Sequence, residues 1–377
     1  TSETVVGSTT TIVETTVEVK SVAPGKTKRQ IDNLYPPKSH ALQISKYGDI
    51  SVFQWAEVST VQIESPYDII IKVVATSVNP IDYKLRKGNY SNLMRAKFPL
   101  VLGLDFSGIV VAKGEKVNKV HLLDKIFGTI RDGGCYSEFI RVNTATEYGV
   151  ALKPASISHI EAAGAPICAL SAYGALVTLG ELPVGNKAEP GKHKVLIIGA
   201  SGGVGTFAVQ IAKVVCKAKV TAICSGTNAE LVRGLGADQV VDYTIQDFTA
   251  VLKDENDYDV VVDCVGRQND FYHKTIPLLK KKGTFVAVAF DSEGNGKVTI
   301  GDLAKIGFTV VGRNLFGARR FKTLNGPNRK DFKKLVPYLE RHEIKTVVAE
   351  KIPLREGAKA HEKIETGRTG GKIILTT

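Results

Sequence analysis

From His40 to about Ala165 the apolar residues come in short β-branched runs, ALQISKYG, DIIIKVVATSVNP, GIVVAKGEKV, KIFGTI and GGCYSEFIRV, separated by Gly, Asp and Asn. Runs of that length with those breakers predict the strands and turns of an antiparallel barrel or sandwich. From Lys192 the texture changes. KVLIIGA predicts a wholly apolar strand, GGVGTFAVQIAKVV a helix, KVTAIC a strand, NAELVRGLG a helix, QVVDYT and DYDVVVDCVG strands, KTIPLLKKKG a helix and TFVAVAF a strand. Strands without polar alternation, interleaved with helices, are those of a parallel sheet covered on both faces. After about Val311 follow a polar basic segment, a helix over RKDFKKLVPYLERH, and two short strands, VVAEKIPL and GKIILTT. With the parallel sheet complete at TFVAVAF, those last strands are expected to return to the first domain. The expected fold is α/β. A flexible extension spans 1–38, a β-rich domain 39–168, a doubly wound parallel-sheet domain 169–310, and a returning segment 311–377.

Composition narrows the class. Apolar residues make up 43% and charged residues 23%, which excludes wholesale disorder, collagen and coiled coil. Between Glu161 and Glu181 lie 19 uncharged residues, AAGAPICALSAYGALVTLG, long enough to cross a bilayer. Pro166, the glycines and the small residues make this stretch weakly hydrophobic, so a buried helix is expected. The net charge is +12, and residues 313–377 hold 16 basic against 7 acidic side chains. Arg319, Arg320, Lys322, Arg329, Lys330, Lys333 and Lys334 suit a phosphate-bearing ligand or the headgroups of a peripherally bound membrane, or else form a solvated face. Nucleic acid has only charge in its favour, since no finger or aromatic-interleaved basic motif is present, and is not expected as a partner. Five cysteines without a C-x-x-C pair read as buried, reduced thiols. The first 38 residues show neither an apolar signal core nor a transit-peptide composition. Cytoplasm, organelle interior and membrane surface all stay open.

The strongest chemical signal is the apolar strand leading into Ala200-Ser201-Gly202-Gly203-Val204-Gly205 and then a helix. The spacing is A-x-G-x-x-G, a dinucleotide fingerprint with Ala in the first glycine's place. Gly202 lets a pyrophosphate approach the backbone, Gly205 lets helix and strand pack closely, and the helix N-terminus offers unpaired N–H groups. The second strand ends in Cys224-Ser225-Gly226-Thr227-Asn228, with no acid before Glu230. An NAD site places a carboxylate there for the ribose hydroxyls. Its absence, with Ser225 as a donor and Arg233 one turn on, predicts NADPH as cofactor.

Taken together, TSVNPIDYKLRKGNY (76–90), PLVLGLDFSGIV (99–110), GGCYSEFI (133–140), ALSAYGAL (169–176), GASGGVG (199–205), GADQVVDY (236–243), DCVG (263–266) and TGGKIIL (369–375) resemble the medium-chain dehydrogenase/reductase superfamily. Within it they resemble the zinc-independent, zeta-crystallin-like quinone oxidoreductases, over the chain from about residue 40 to its end. The resemblance implies a GroES-like catalytic domain in two segments around a Rossmann domain, with the active site in the cleft, and a homodimer. Zinc-dependent relatives carry a Cys before the first catalytic helix and Gly-His-Glu after the next strand. This chain has Asn79-Pro80-Ile81-Asp82 and Gly103-Leu104-Asp105 there, so no catalytic zinc is expected. Without a Lewis acid the implied chemistry is hydride addition to a quinone, an α,β-unsaturated carbonyl or an enoyl thioester. Tyr90 matches the tyrosine that enoyl thioester reductases place near substrate, and is the candidate proton donor. Asn79 matches the family Asn near the nicotinamide, and Ser171 a Thr/Ser beside the cofactor. Tyr243 matches a tyrosine at the adenosine ribose, while Val265, Gly266 and Phe316 match cofactor-flanking positions. Asp82 and Asp105 are acids at positions left over from a zinc site, which need not remain functional. A cofactor-binding protein of low turnover, serving as a membrane- or complex-associated partner, is the competing reading.

Overall fold

The computed structural model describes residues 36–377 apart from 94, 148, 267, 289–296, 318, 325 and 327; the side chains of 268–270, 300, 303, 306 and 316 also lie outside the described residues. The expected extension falls outside them except for its last three positions, of which Lys38 already opens a strand.

In the first domain, strands Lys38–Ile44, Phe53–Ser59 and Leu100–Val101 form a small antiparallel sheet. A larger sheet runs in the order Val348–Pro353, Lys372–Thr376, Asp68–Ser77, Asp105–Lys113, Lys125–Thr129 and Val150–Leu152, with Phe139–Asn143 also pairing Asp68–Ser77. The β-branched runs supply its core: Ile69, Ile71, Val73, Phe106, Val110, Ile126, Ile140 and Val142 are buried together. The two last strands of the chain do return here. Ile374–Thr376 pairs antiparallel with Ala75–Ser77, and Val348–Pro353 adds in parallel outside it.

The second domain holds six parallel strands in the order Gln239–Asp242, Lys219–Cys224, Lys194–Ile198, Tyr258–Asp263, Leu279–Ala287 and Arg320–Thr323. Strand order reverses beside Lys194–Ile198, so the carboxyl ends of Lys194–Ile198 and Tyr258–Asp263 open the crevice in which such sheets bind ligands. The uncharged stretch is a pair of short helices, His159–Gly164 and Pro166–Tyr173, continued by a wide turn to Leu179. Seven of the eight residues of Pro166–Tyr173 are buried. No helix among the described residues is long and apolar enough to cross a membrane.

Two expectations are corrected. KTIPLLKKKG is not a helix: helix Gln268–Thr275 gives way at Ile276–Leu278, and a strand begins at Leu279. Pro277 cannot continue the helical hydrogen bonding, and Lys280 pairs across the sheet with both Asp259 oxygens at 2.9 Å. Nor is the parallel sheet complete at TFVAVAF. After helix Ile300–Phe316, Arg320–Thr323 adds a sixth strand alongside Thr284–Ala287, so the chain leaves this sheet after 323 and not at 310. Phe321 is buried and stacks on Phe285 at 5.6 Å. Its neighbours Arg320 and Lys322 pair with Glu181 at 2.9 and 2.7 Å. Basic–aromatic–basic is here the alternation of an edge strand.

The first parallel strand and its helix meet at Gly205, where a Cβ would stand 2.1 Å from the Gly199 carbonyl oxygen and 2.7 Å from Ala200 Cα. Gly205→Ala therefore forces strand and helix apart, at an expected cost of about 2–3 kcal/mol. A melting temperature lower by roughly 5 °C is expected; an unchanged one contradicts the packing.

Candidate active site

The first wall of the site is the carboxyl edge of the parallel sheet. Gly199 takes φ +78° and turns the chain, Gly202 caps helix Gly203–Gln210, and the Thr206 N–H makes the first helical bond, to Gly202. The N–H groups of Gly203, Val204 and Gly205 thus have no partner within the helix and point from its positive end. Outside the turn, a Cβ on Gly202 would meet nothing nearer than 3.5 Å, so the backbone is open to a ligand. The residues present fit the pyrophosphate of a dinucleotide. Val265 closes one side: its Cγ2 would lie 2.8 Å from a Cβ on Gly199, and the Val265 and Gly266 N–H groups are turned onto Asp263 Oδ1 at 2.9 and 3.2 Å.

On the other side, Ser225 Oγ is 3.0 Å from both Thr227 Oγ1 and Asn228 Nδ2, a cluster of small donors at the end of the second strand. Tyr243, at the end of the neighbouring strand, is exposed. A carboxylate that the motif reading missed lies beneath this cluster. A Cβ on Gly226 would strike Asp242 Oδ2 at 2.2 Å, while Asp242 Oδ1 accepts from the Thr244 N–H and hydroxyl at 2.9 and 2.7 Å. Those hydrogen bonds, with one from the Gly226 backbone, hold its carboxyl below the usual range. Arg233 is ion-paired with Glu230 on an exposed helix face and is not hydrogen-bonded to Ser225. Ser171 is buried in helix Pro166–Tyr173, which packs against the helix that follows the glycine turn. Phe316 ends helix Ile300–Phe316, and its side chain lies outside the described residues.

The facing wall comes from the first domain. Asn79 precedes helix Pro80–Arg86, its backbone N–H held at 2.8 Å by Asp82 Oδ2. Its side chain, 2% exposed, donates through Nδ2 to Asp105 Oδ2 at 3.0 Å and accepts at Oδ1 from Lys372 Nζ at 2.6 Å. Asp105 also accepts from the Ser77 hydroxyl at 2.9 Å and the Ile167 N–H at 3.1 Å. Burial raises the pKa of Asp105 against the pull of Lys372. Burial pushes Asp82 up to about 7. Tyr90 is half-buried in the turn after the helix, and desolvation raises its phenol. Next to it, the Asn89 carbonyl accepts from the Val298 N–H at 2.6 Å, tying this turn to the segment beyond the fifth parallel strand.

The two walls are joined by the C-terminal segment. Gly371 makes a bridge to Gly202, the Lys372 stem lies 3.1 Å from where a Cβ on Gly203 would stand, and a Cβ on Gly370 would be 2.9 Å from Asn228 Oδ1. Lys372 was missed in the sequence, where 293 residues separate it from Asn79. Its signals are a place within the TGGKIIL stretch, to which no role was attached, and a charge opening the strand Lys372–Thr376. Among the described residues no three His, Cys, Asp or Glu side chains group as a metal ion would require.

Comparison with known proteins agrees with this geometry. Residues 65–154 match the alcohol dehydrogenase GroES-like domain family, and residues 235–375 the zinc-binding dehydrogenase family. The mitochondrial NAD(P)H oxidoreductase RTN4IP1 of Bos taurus is 34% identical, covering 88% of this chain and 87% of its own. The chloroplastic quinone-oxidoreductase homolog of Spinacia oleracea is 31% identical (89% and 98%), and the 2-methylene-furan-3-one reductase of Solanum lycopersicum 32% (90% and 79%). Among solved structures, Coxiella burnetii quinone oxidoreductase superposes with a TM-score of 0.73 at 28% identity, covering 90% of this chain and 99% of that one. Escherichia coli quinone oxidoreductase complexed with NADPH gives 0.72 at 25% (90% and 100%). The chain belongs to the medium-chain dehydrogenase/reductase superfamily. Within that superfamily it is a quinone-oxidoreductase-like member, and an oxidoreductase.

Behind Asp82 a buried chain of polar groups runs to the surface. The Tyr136 hydroxyl donates to Asp82 Oδ2 at 3.1 Å and lies 3.2 Å from His361 Nε2, while His361 Nδ1 is 3.4 Å from Arg86 Nη1. Arginine only donates, so Nδ1 accepts and the ring proton sits on Nε2, directed at Tyr136. Arg86 and Lys87 then meet Glu365. Burial, reinforced by Arg86, lowers His361 to about 3, so it is neutral in the fold but protonates at the ordinary 6.5 when unfolded. Its contribution is present above pH 6.5 and is lost as pH falls toward 3. His361→Gln, which keeps one acceptor and one donor, removes that loss. Relative to wild type, the variant should gain roughly 2 kcal/mol as pH falls from about 7 to about 5, read from urea midpoints. A difference independent of pH contradicts the buried neutral imidazole.

Proposed function

We propose that the protein is a zinc-independent, NADPH-dependent reductase of quinones or α,β-unsaturated carbonyls. The observation that carries the reading is the open glycine turn joined, through Gly371 and Lys372, to Asn79 and Asp105 of the first domain. The names of the relatives, an NAD(P)H oxidoreductase, a quinone oxidoreductase homolog and an enone reductase, point the same way. When bound, NADPH supplies the hydride.

The chain's own residues do the rest. The N–H groups at the start of helix Gly203–Gln210, which the helix itself does not use, hold the pyrophosphate. Ser225, Thr227 and Asn228 offer donors to the 2′-phosphate, where an NAD-type site would set a free carboxylate; Asp242, under Gly226, is engaged by the Thr244 N–H and hydroxyl and by the Gly226 N–H. Asn79 borders the nicotinamide end, fixed by Asp105 and Lys372. Reduction of a conjugated acceptor leaves negative charge on its oxygen or on the carbon beside the carbonyl, and the Tyr90 phenol, whose partial burial raises its pKa further above neutrality, is the proton source. Ion pairs of Arg320 and Lys322 with Glu181, and of Lys334 with Asp331, favour a solvated basic face over a headgroup-binding patch. Relatives named for the mitochondrion and the chloroplast support an organelle interior as the compartment. An enoyl thioester reductase is the nearest alternative within the same chemistry.

NADPH is expected to bind more tightly than NADH, and Ser225→Asp to reverse the order by placing a carboxylate against the 2′-phosphate. Fluorescence titrations of both cofactors check this; tighter NADH binding by the wild type contradicts it. Tyr90→Phe should lower turnover with enones by about a hundredfold and leave NADPH affinity unchanged. Full turnover on every acceptor among quinones, alkenals, cyclic enones and enoyl thioesters would remove Tyr90 from the mechanism.

A further inference from the structure

We infer that Lys372 is a positioning residue, which fixes the Asn79 carboxamide in register with the glycine turn. The inference rests on the reductase reading above and adds to it a residue to which the TGGKIIL stretch assigned no role. Lys372 is 3% exposed, and its ammonium donates to Asn79 Oδ1 at 2.6 Å and to the Val78 carbonyl at 3.1 Å, with Asp105 Oδ2 at 4.0 Å. An ammonium only donates and a carboxylate only accepts, so the lysine compels Oδ1 to face it while Asp105 compels Nδ2 to face the other way. A flipped amide would set Nδ2 against the ammonium and Oδ1 against the carboxylate, donor facing donor and acceptor facing acceptor. One Nδ2 hydrogen is left over, and the clamp determines where it points.

The stem of the same lysine links that amide to the cofactor turn. Its Cδ would touch a Cβ on Gly203, the residue before it bridges Gly202, and Gly370 abuts Asn228 beyond the second strand. Three consecutive residues thus contact the pyrophosphate turn, the adenosine-side loop and, through Nζ, the amide at the nicotinamide end. A purely structural lysine needs none of these contacts to be shared. Lys372 acts by holding Asn79 at a fixed offset from the bound pyrophosphate, which is what transfer between two separately held partners requires.

The test measures kcat with a cyclic enone and NADPH affinity by fluorescence, for wild type, Lys372→Met, Lys372→Arg, Asn79→Ala and the Lys372→Met/Asn79→Ala double variant. The expected result is a kcat about tenfold or more lower in Lys372→Met with NADPH affinity within about twofold of wild type. Lys372→Arg, which keeps a charged donor, should recover most of the rate. Adding Asn79→Ala to Lys372→Met should cost nothing further, because both act through one amide. Should Lys372→Met not fold, Lys372→Met/Asp105→Asn, which removes both members of the buried pair, carries the same expectation. Rate losses that multiply in the double variant overturn the inference. So does a Lys372→Met whose defect is confined to NADPH affinity with kcat intact. A wild type that neither binds NADPH nor reduces an acceptor refutes the reductase reading itself, and is read before any variant.

Discussion

A lysine ammonium taken out of water costs several kcal/mol unless a carboxylate and further acceptors meet it. Lys372 is so buried, and the groups that make its position tenable, Asp105, Asn79 and the Val78 carbonyl, come from the first segment of the chain, with Asn79 lying 293 residues earlier. The chain must therefore close on itself before the charge is stable. The return of the last strand onto Ala75–Ser77 and its bridge to Gly202 follow from the same closure. Removing one partner leaves another charge orphaned in an apolar surround, which couples the integrity of the cleft to the integrity of the fold.

The opposite wall is held by close approach and not by charge. Gly199, Gly202 and Gly205 let a strand, a turn and a helix come within distances that a side chain would forbid, and that proximity directs three backbone N–H groups outward. The two halves differ in kind: one presents backbone dipoles at a helix start, the other an amide clamped between a lysine and an aspartate. The Gly370–Lys372 segment spans the two halves.

Much of this was legible from local pattern. Short β-branched runs, the change to unalternating apolar strands at Lys192, and the glycine turn with correct flanking elements each report an interaction made within a few residues. The misreadings were of two physical kinds. Pro277 and the lysines after it looked helical because propensity outweighed the proline, whereas Asp259 on the adjoining strand supplied the partner that lets Lys280 sit in a sheet. Arg320-Phe321-Lys322 looked like part of a polar basic segment outside the sheet because its partners, Glu181 and strand Leu279–Ala287, lie elsewhere along the chain, with Glu181 139 residues away. Asp242 escaped notice because the fingerprint asks for an acid on the second strand, and here the acid stands on the third, under Gly226. Tertiary pairings of this sort leave no periodic trace, so Lys372 could be placed only once the fold was known.

The central claim is that the cleft delivers hydride from a nicotinamide to a conjugated carbon with no metal taking part. Its most direct test is a single turnover of chelator-treated protein with NADPH deuterated at the transferable nicotinamide position and a cyclic enone. Deuterium recovered at the β-carbon of the saturated ketone, at a rate that added zinc does not change, is the predicted result. A product without deuterium at that carbon, or transfer that appears only when zinc is restored, contradicts it.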